Sequence, residues 1–181
     1  MTYMRKCFAL SIMILISSNF ALANVTVSIG DVQVDGYTDD IVVPVTLANP
    51  QNWVGGLQFD LIAMPTIVTL SGSTPVDQSS FSADYTVFND GSGRVVFYNS
   101  VGGAIAPGGD GVVLNLHYDG SEILSAIVQL EAYDLSVSDG EGEIINGNLV
   151  NGSIIIGDET YLSASSCLLY TSDAADEGLG V

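Results

Sequence analysis

Basic residues are almost missing from this chain: 3 Lys and Arg stand against 21 Asp and Glu in 181 residues, for a formal net charge of −18. Two of the three, Arg5 and Lys6, stand ahead of an apolar run from Cys7 to Ile16 that closes on Ala21-Leu22-Ala23. A short basic stretch, an apolar stretch and small residues at a cut point are the parts of an export signal. The sequence therefore predicts a signal peptide over 1–23, with cleavage before Asn24. Its removal leaves Arg94 as the one cation against all 21 acids, a net of −20. A field of that sign repels nucleic acid and anionic lipid, which excludes both as partners. It suits calcium, a cationic partner or a salty medium, and it also serves solubility with no ligand at all.

Cysteine is equally scarce. Cys7 leaves with the signal and Cys167 falls in a polar tail, so the domain is expected to fold without disulfides. A span of about 130 residues buries enough apolar surface to do so. No cysteine follows the cleavage point, where a lipid anchor would need one. Beyond the signal, no apolar stretch approaches the roughly 20 residues that a membrane helix requires, so membrane insertion is not expected. One domain is predicted over 24–158, followed by a tail over 159–181. Within that tail Cys167 to Glu177 reads CLLYTSDAADE, which resembles the conceptual translation of a transposase-type sequencing adapter. Residues 167–181 are accordingly expected to be an assembly artefact, with the natural C-terminus elsewhere.

The predicted domain holds one histidine, His117, and no Gly-x-Ser-x-Gly nucleophile elbow. A Ser-His-Asp triad has no nucleophile near His117 in sequence, and zinc needs several Cys or His ligands. His117 reads as a surface strand residue. Carboxylate pairs are so abundant that they carry no specificity for glycoside hydrolysis, which also needs a deep cleft. The chain is expected not to be an enzyme, and no cofactor is required.

What the sequence does have is short runs rich in Val, Ile, Leu, Phe and Tyr, separated by Gly, Asn and Asp clusters at roughly 8 to 12 residue intervals. Strands are expected at Val25 to Ile29, Ile41 to Leu47, Val54 to Ile62, Val68 to Ser71, Tyr85 to Phe88, Arg94 to Ser100, Gly111 to Tyr118, Ala126 to Leu135 and Leu149 to Ile156. Successive strand side chains point to opposite faces. Leu57, Phe59 and Leu61 should thus face a core, with Gly56, Gln58 and Asp60 outside. Half-buried strands of this kind make an antiparallel sandwich of two sheets. Asn89-Asp90-Gly91-Ser92-Gly93 is expected as a tight hairpin, and Pro44 should mark an edge or a bulge.

Two acidic groups offer oxygen ligands of the kind calcium takes. One is Asp35, Asp39 and Asp40; the other is Asp134, Asp139, Glu141 and Glu143. Neither follows the spacing of an EF-hand loop. Trp53, Tyr85, Tyr98 and Tyr133 are the rings available for stacking on a sugar.

The segment Trp53-Val54-Gly55-Gly56-Leu57-Gln58-Phe59-Asp60-Leu61-Ile62-Ala63-Met64-Pro65 carries the most information. Taken with Ile41 to Val45, Gly93 to Tyr98, Gly111 to Leu116 and Asn151 to Ile156, it resembles a bacterial cohesin domain over nearly the whole of 24–158. The resemblance implies a nine-stranded jelly-roll β-sandwich, also used by cellulose-binding modules. It further implies a secreted, non-catalytic module of extracellular polysaccharide degradation that holds a calcium-loaded dockerin, or alternatively binds polysaccharide directly. Where dockerin-binding relatives commonly carry Asn and Asp on the exposed face of the strand matching Gly55 to Ile62, this chain has Gly56 and Gln58. The usual Tyr-Asp-Pro closing that strand is Ala63-Met64-Pro65. A partner is expected on the face holding Gly56, Gln58 and Asp60, with Arg94 and Tyr98 from a neighbouring strand.

Overall fold

The computed structural model describes residues 25–49, 51–76 and 80–157. The expected signal peptide over 1–23 and the expected tail over 159–181 lie outside them. Twelve strands run in chain order: β1 Val25–Ile29, β2 Asp31–Val34, β3 Ile41–Asn49, β4 Gly56–Met64, β5 Thr69–Pro75, β6 Phe81–Val87, β7 Gly93–Asn99, β8 Gly109–Asp119, β9 Ala126–Ser138, β10 Ile144–Ile145, β11 Gly147–Val150 and β12 Gly152–Ile156. They form two packed sheets. One has the order β11-β1-β3-β8-β5, and the other β2-β12-β9-β4-β7-β6 with β10 added to β9.

Period-two alternation builds both layers. Val25, Val27 and Ile29 of β1 and Ile41, Val43, Val45 and Leu47 of β3 are buried at every second position. From the other sheet Leu57, Phe59 and Leu61 of β4 and Val95 and Phe97 of β7 meet them, as the sequence predicts for β4. Phe81 and Phe97 stack with centroids 4.7 Å apart. Burial of this kind is the main force holding the sheets together, at about 1.5 to 3 kcal/mol per large side chain.

The strand set differs from the nine expected. Asp31–Val34 and Ile144–Ile145 are additional strands, and the run expected as Leu149 to Ile156 divides at Asn151. Its first half pairs parallel with β1 and its second half parallel with β2, while the other strand pairs are antiparallel. Each break carries a glycine where the first and last strands cross between sheets: a Cβ on Gly152 would stand 2.4 Å from the Gly30 carbonyl oxygen, and one on Gly30 would stand 2.8 Å from the Pro44 ring.

Pro44 lies in an interior strand, with a bulge in the β3–β8 ladder directly after Val45. The Asn89-to-Gly93 segment forms the expected hairpin between β6 and β7. Gly91 takes φ 83° there, and Asp90 accepts hydrogen bonds from the Ser92 amide and hydroxyl.

Candidate functional site

Register places the predicted partner-binding residues on one surface. Across β10, β9, β4, β7 and β6 the first row is Ile144, Ser138, Gly56, Tyr98 and Ser82. The second row is Ser136, Gln58, Val96 and Asp84, and the third is Tyr133, Asp60, Arg94 and Thr86. All project from the outer face of the larger sheet, because their strand neighbours Leu57, Phe59, Val95, Phe97 and Val137 are buried in the core. Between the second and third rows β9 bulges at Asp134 and Leu135, and Asp134 sits at φ 53°, a conformation that Asp tolerates better than most residues.

The third row is closed by an ion pair. Arg94 Nε and Nη2 donate to Asp60 Oδ1 and Oδ2 at 2.6 and 2.7 Å, a bidentate fork that matches the two planar groups. The hydrogen bonds and charge of Asp60 hold the guanidinium pKa above its ordinary value. The Asp60 side chain is 8% exposed against 42% for Arg94, so the arginine covers the carboxylate from solvent. Phe88 lies 5.8 Å beneath the guanidinium. Asp60, expected on the partner face, thus has both carboxylate oxygens engaged by Arg94 within the sheet.

Gln58 and Tyr98 remain available to solvent. The Tyr98 hydroxyl donates to Asp84 Oδ2 at 3.0 Å, which pushes the phenol pKa up. Together with Gly56, Val96, Ser136, Ser138 and Ile144 they line a shallow groove of 240 Å³. The sequence reading missed Val96, Asp84, Ser136, Ser138 and Ile144 as members of this surface. Alternation within Gly93 to Tyr98 signals Val96, whereas a two-residue strand such as β10 is too short to display a period.

The proposed ring platform does not assemble. Tyr98 and Tyr133 share the outer face but stand on opposite sides of β4, in different rows. Tyr85 alternates to the other side of β6, and its hydroxyl donates to the Ser71 carbonyl of β5, closing one side of the sandwich. Trp53 is exposed in the loop before β4, a loop pinned by Asn49 Nδ2 to the carbonyls of Asn52 and Ala106.

Two of the candidate calcium acids are engaged within the domain. Asp139 Oδ1 accepts the amides of Glu141 and Glu143, both at 2.9 Å, and so organises its own turn. Asp40 Oδ1 lies 2.8 Å from His117 Nδ1, whose Nε2 is 2.9 Å from Thr74 Oγ1. Among the described residues no group of three His, Cys, Asp or Glu side chains is arranged to hold a metal ion. The Asp40-His117-Thr74 chain has the composition of a hydroxyl-imidazole-carboxylate relay. It lies on the outer face of the five-stranded sheet and ties the loop after β2 to β5 and β8.

The family profile for the cohesin domain matches residues 25–156. This chain belongs to the cohesin family. Cohesin domains are non-catalytic protein–protein interaction modules, in keeping with a surface that offers a flat mixed face in place of a reactive cleft. Solved cohesin structures share the fold. A non-cellulosomal cohesin from the hyperthermophilic archaeon Archaeoglobus fulgidus is 20% identical with a TM-score of 0.60, over 79% of this chain and 98% of that one. The sixth cohesin of Acetivibrio cellulolyticus scaffoldin B, solved with a mutated Cel5 dockerin, is 18% identical with a TM-score of 0.61, over 74% and 99%. A type I cohesin from a Clostridium thermocellum cohesin–dockerin complex is 21% identical with a TM-score of 0.59, over 74% and 99%. No curated protein matches the sequence.

Proposed function

We propose that this cohesin is a secreted adaptor that holds a dockerin-type protein through the outer face of its larger sheet, in extracellular polysaccharide degradation. The observation that carries the reading is the convergence of Gly56, Gln58 and Tyr98, from two neighbouring strands, around one shallow groove on an exposed sheet face. A flat surface mixing apolar and polar groups is the anatomy of a protein interface. Solved cohesins of the same fold are held in complexes with dockerins. The acidic character of the chain and the signal-like N-terminus support an extracellular setting. The archaeal relative is non-cellulosomal, so the reading requires a dockerin and not a particular assembly around it. Direct sugar binding is less well supported, because the four candidate rings do not form a row.

The test is a pull-down of the domain against secreted proteins from the same source, in calcium and in chelator. Dockerin-bearing proteins are expected in calcium and not in chelator, since the dockerin is expected to be the calcium-loaded partner. Retention on insoluble polysaccharide with no protein captured in either condition overturns the reading in favour of a carbohydrate-binding module.

A further inference from the structure

The first two rows of the outer face differ from the third in what they leave unused. Tyr98 is 37% exposed and Ile144 is 73% exposed, and they stand on either side of Gly56 and Ser138, which form the floor of the groove. A Cβ on Gly56 would stand 3.0 Å from the Phe97 carbonyl oxygen and 3.5 Å from Ser138 Oγ, so the absence of a side chain there keeps the depression open. Apolar walls over a backbone floor form a receptacle for one apolar side chain.

The charge around that receptacle is of one sign. Asp84 is held beside Tyr98 by its hydroxyl, and Glu141 and Glu143 flank Ile144 in the preceding turn, all of them exposed. Arg94 is the one Lys or Arg among the described residues, and Asp60 already takes two of its donors. A partner that puts its own acids here meets uncompensated repulsion, whereas a cation is attracted. Asp84 lies two strands from Gly56, a separation of about 10 Å. Lys or Arg three or four positions from an anchoring residue on a helix can span that distance.

Resting on the proposed dockerin-binding role, we infer that the groove between Tyr98 and Ile144 is the specificity pocket of this cohesin. It takes one apolar side chain of the partner, with a Lys or Arg three or four positions away directed at Asp84. Gly56 makes the room, Tyr98 and Ile144 supply the apolar contact, and Asp84 selects the charge beside it.

The experiment sorts a yeast-displayed library of dockerin modules on the domain, then measures Kd of the enriched modules for the domain and for Ile144→Ser, Tyr98→Ala and Asp84→Asn. The replaced side chains are exposed, and an unchanged thermal midpoint verifies each fold. Enriched modules are expected to share an apolar residue with Lys or Arg three or four positions away, and to bind about tenfold more weakly to Ile144→Ser and Tyr98→Ala. Their affinity for the domain should fall about tenfold between 50 and 500 mM salt, and fall less for Asp84→Asn. Modules that carry acids beside the anchor overturn the inference. So do modules indifferent to all three substitutions, while a loss of their binding on Gln58→Arg would leave the larger face reading standing. A library that yields no binder overturns the dockerin reading and the pocket together.

Discussion

The two sheets of this cohesin present the same alternation to the core and opposite characters to solvent. Outside the five-stranded sheet stand Thr26, Ser28, Thr46, Ala48 and Asn115 with the exposed Val42, Val112 and Val150, most of them shorter than the side chains of the other outer face. Its largest polar group, His117, is occupied by Asp40 on one ring nitrogen and Thr74 on the other. Outside the larger sheet, Tyr98, Ile144 and Gln58 surround a depression that none of the described residues fills. The folding pattern is common to both sheets, so what separates their outer faces is the size of the exposed side chains and whether their hydrogen-bonding groups are already engaged.

The largest expected effects lie beneath both faces and should be alike. Phe59→Ala under the larger sheet is expected to cost about 3 to 5 kcal/mol, and Leu116→Ala under the smaller about 2 to 5 kcal/mol, both read from urea unfolding. If only one of them destabilised the domain, the sheets would differ inside as well as outside. Next in size is the loss of binding. Tyr98→Ala should weaken capture of a dockerin about tenfold, while Thr46→Arg on the other outer face leaves it unchanged, as titration calorimetry would show.

Arg94→Ala sharpens the distinction between the rows of the larger sheet's outer face. It strands the buried Asp60 carboxylate, so a lower unfolding midpoint is expected, and the double substitution with Asp60→Asn should recover part of it. A smaller effect of the opposite sign belongs to the other sheet. Tyr118 is buried there, its hydroxyl has no hydrogen-bond partner among the described residues, and burial pushes its pKa well above the ordinary tyrosine range. Tyr118→Phe removes that unmet polar group and should raise stability by up to about 1 kcal/mol in the same urea assay.

The smallest effect is on the acid side. Hydrogen bonds from Ser92 lower the pKa of Asp90, and those from Ser121 lower that of Asp119, from an ordinary value of 3.8. The unfolded chain therefore takes up these protons first, so their contribution is present above pH 3.8 and is lost as pH falls through the folded values. Replacing both by Asn should flatten the decline in thermal midpoint below that pH.

Much of the larger sheet's outer face could be read from residues alone, because period two in Leu57 to Leu61 separates inside from outside without any knowledge of partners. The pairing of Asp60 with Arg94 could not. They are 34 positions apart, and only the β4–β7 register decides that they meet. Tyr85 misled because the strand carrying it begins at Phe81, and Ser82, Ala83 and Asp84 lack the branched or aromatic side chains that announce a strand. The last expected strand broke in two because Gly152 answers a packing demand made by Gly30, and no local pattern records a demand from so far away. Asp40 and Thr74 are likewise distant from His117 in the chain, so the histidine's partners had no local signal.

The crossing of the two chain ends has a consequence for how the protein is made. Each end contributes one strand to each sheet, and Asp31 meets Ser153 across 122 positions. A nascent chain therefore carries both sheets unfinished until its final strands emerge, and closure must wait for its most distant contacts. Such a domain locks only when β11 and β12 reach β1 and β2.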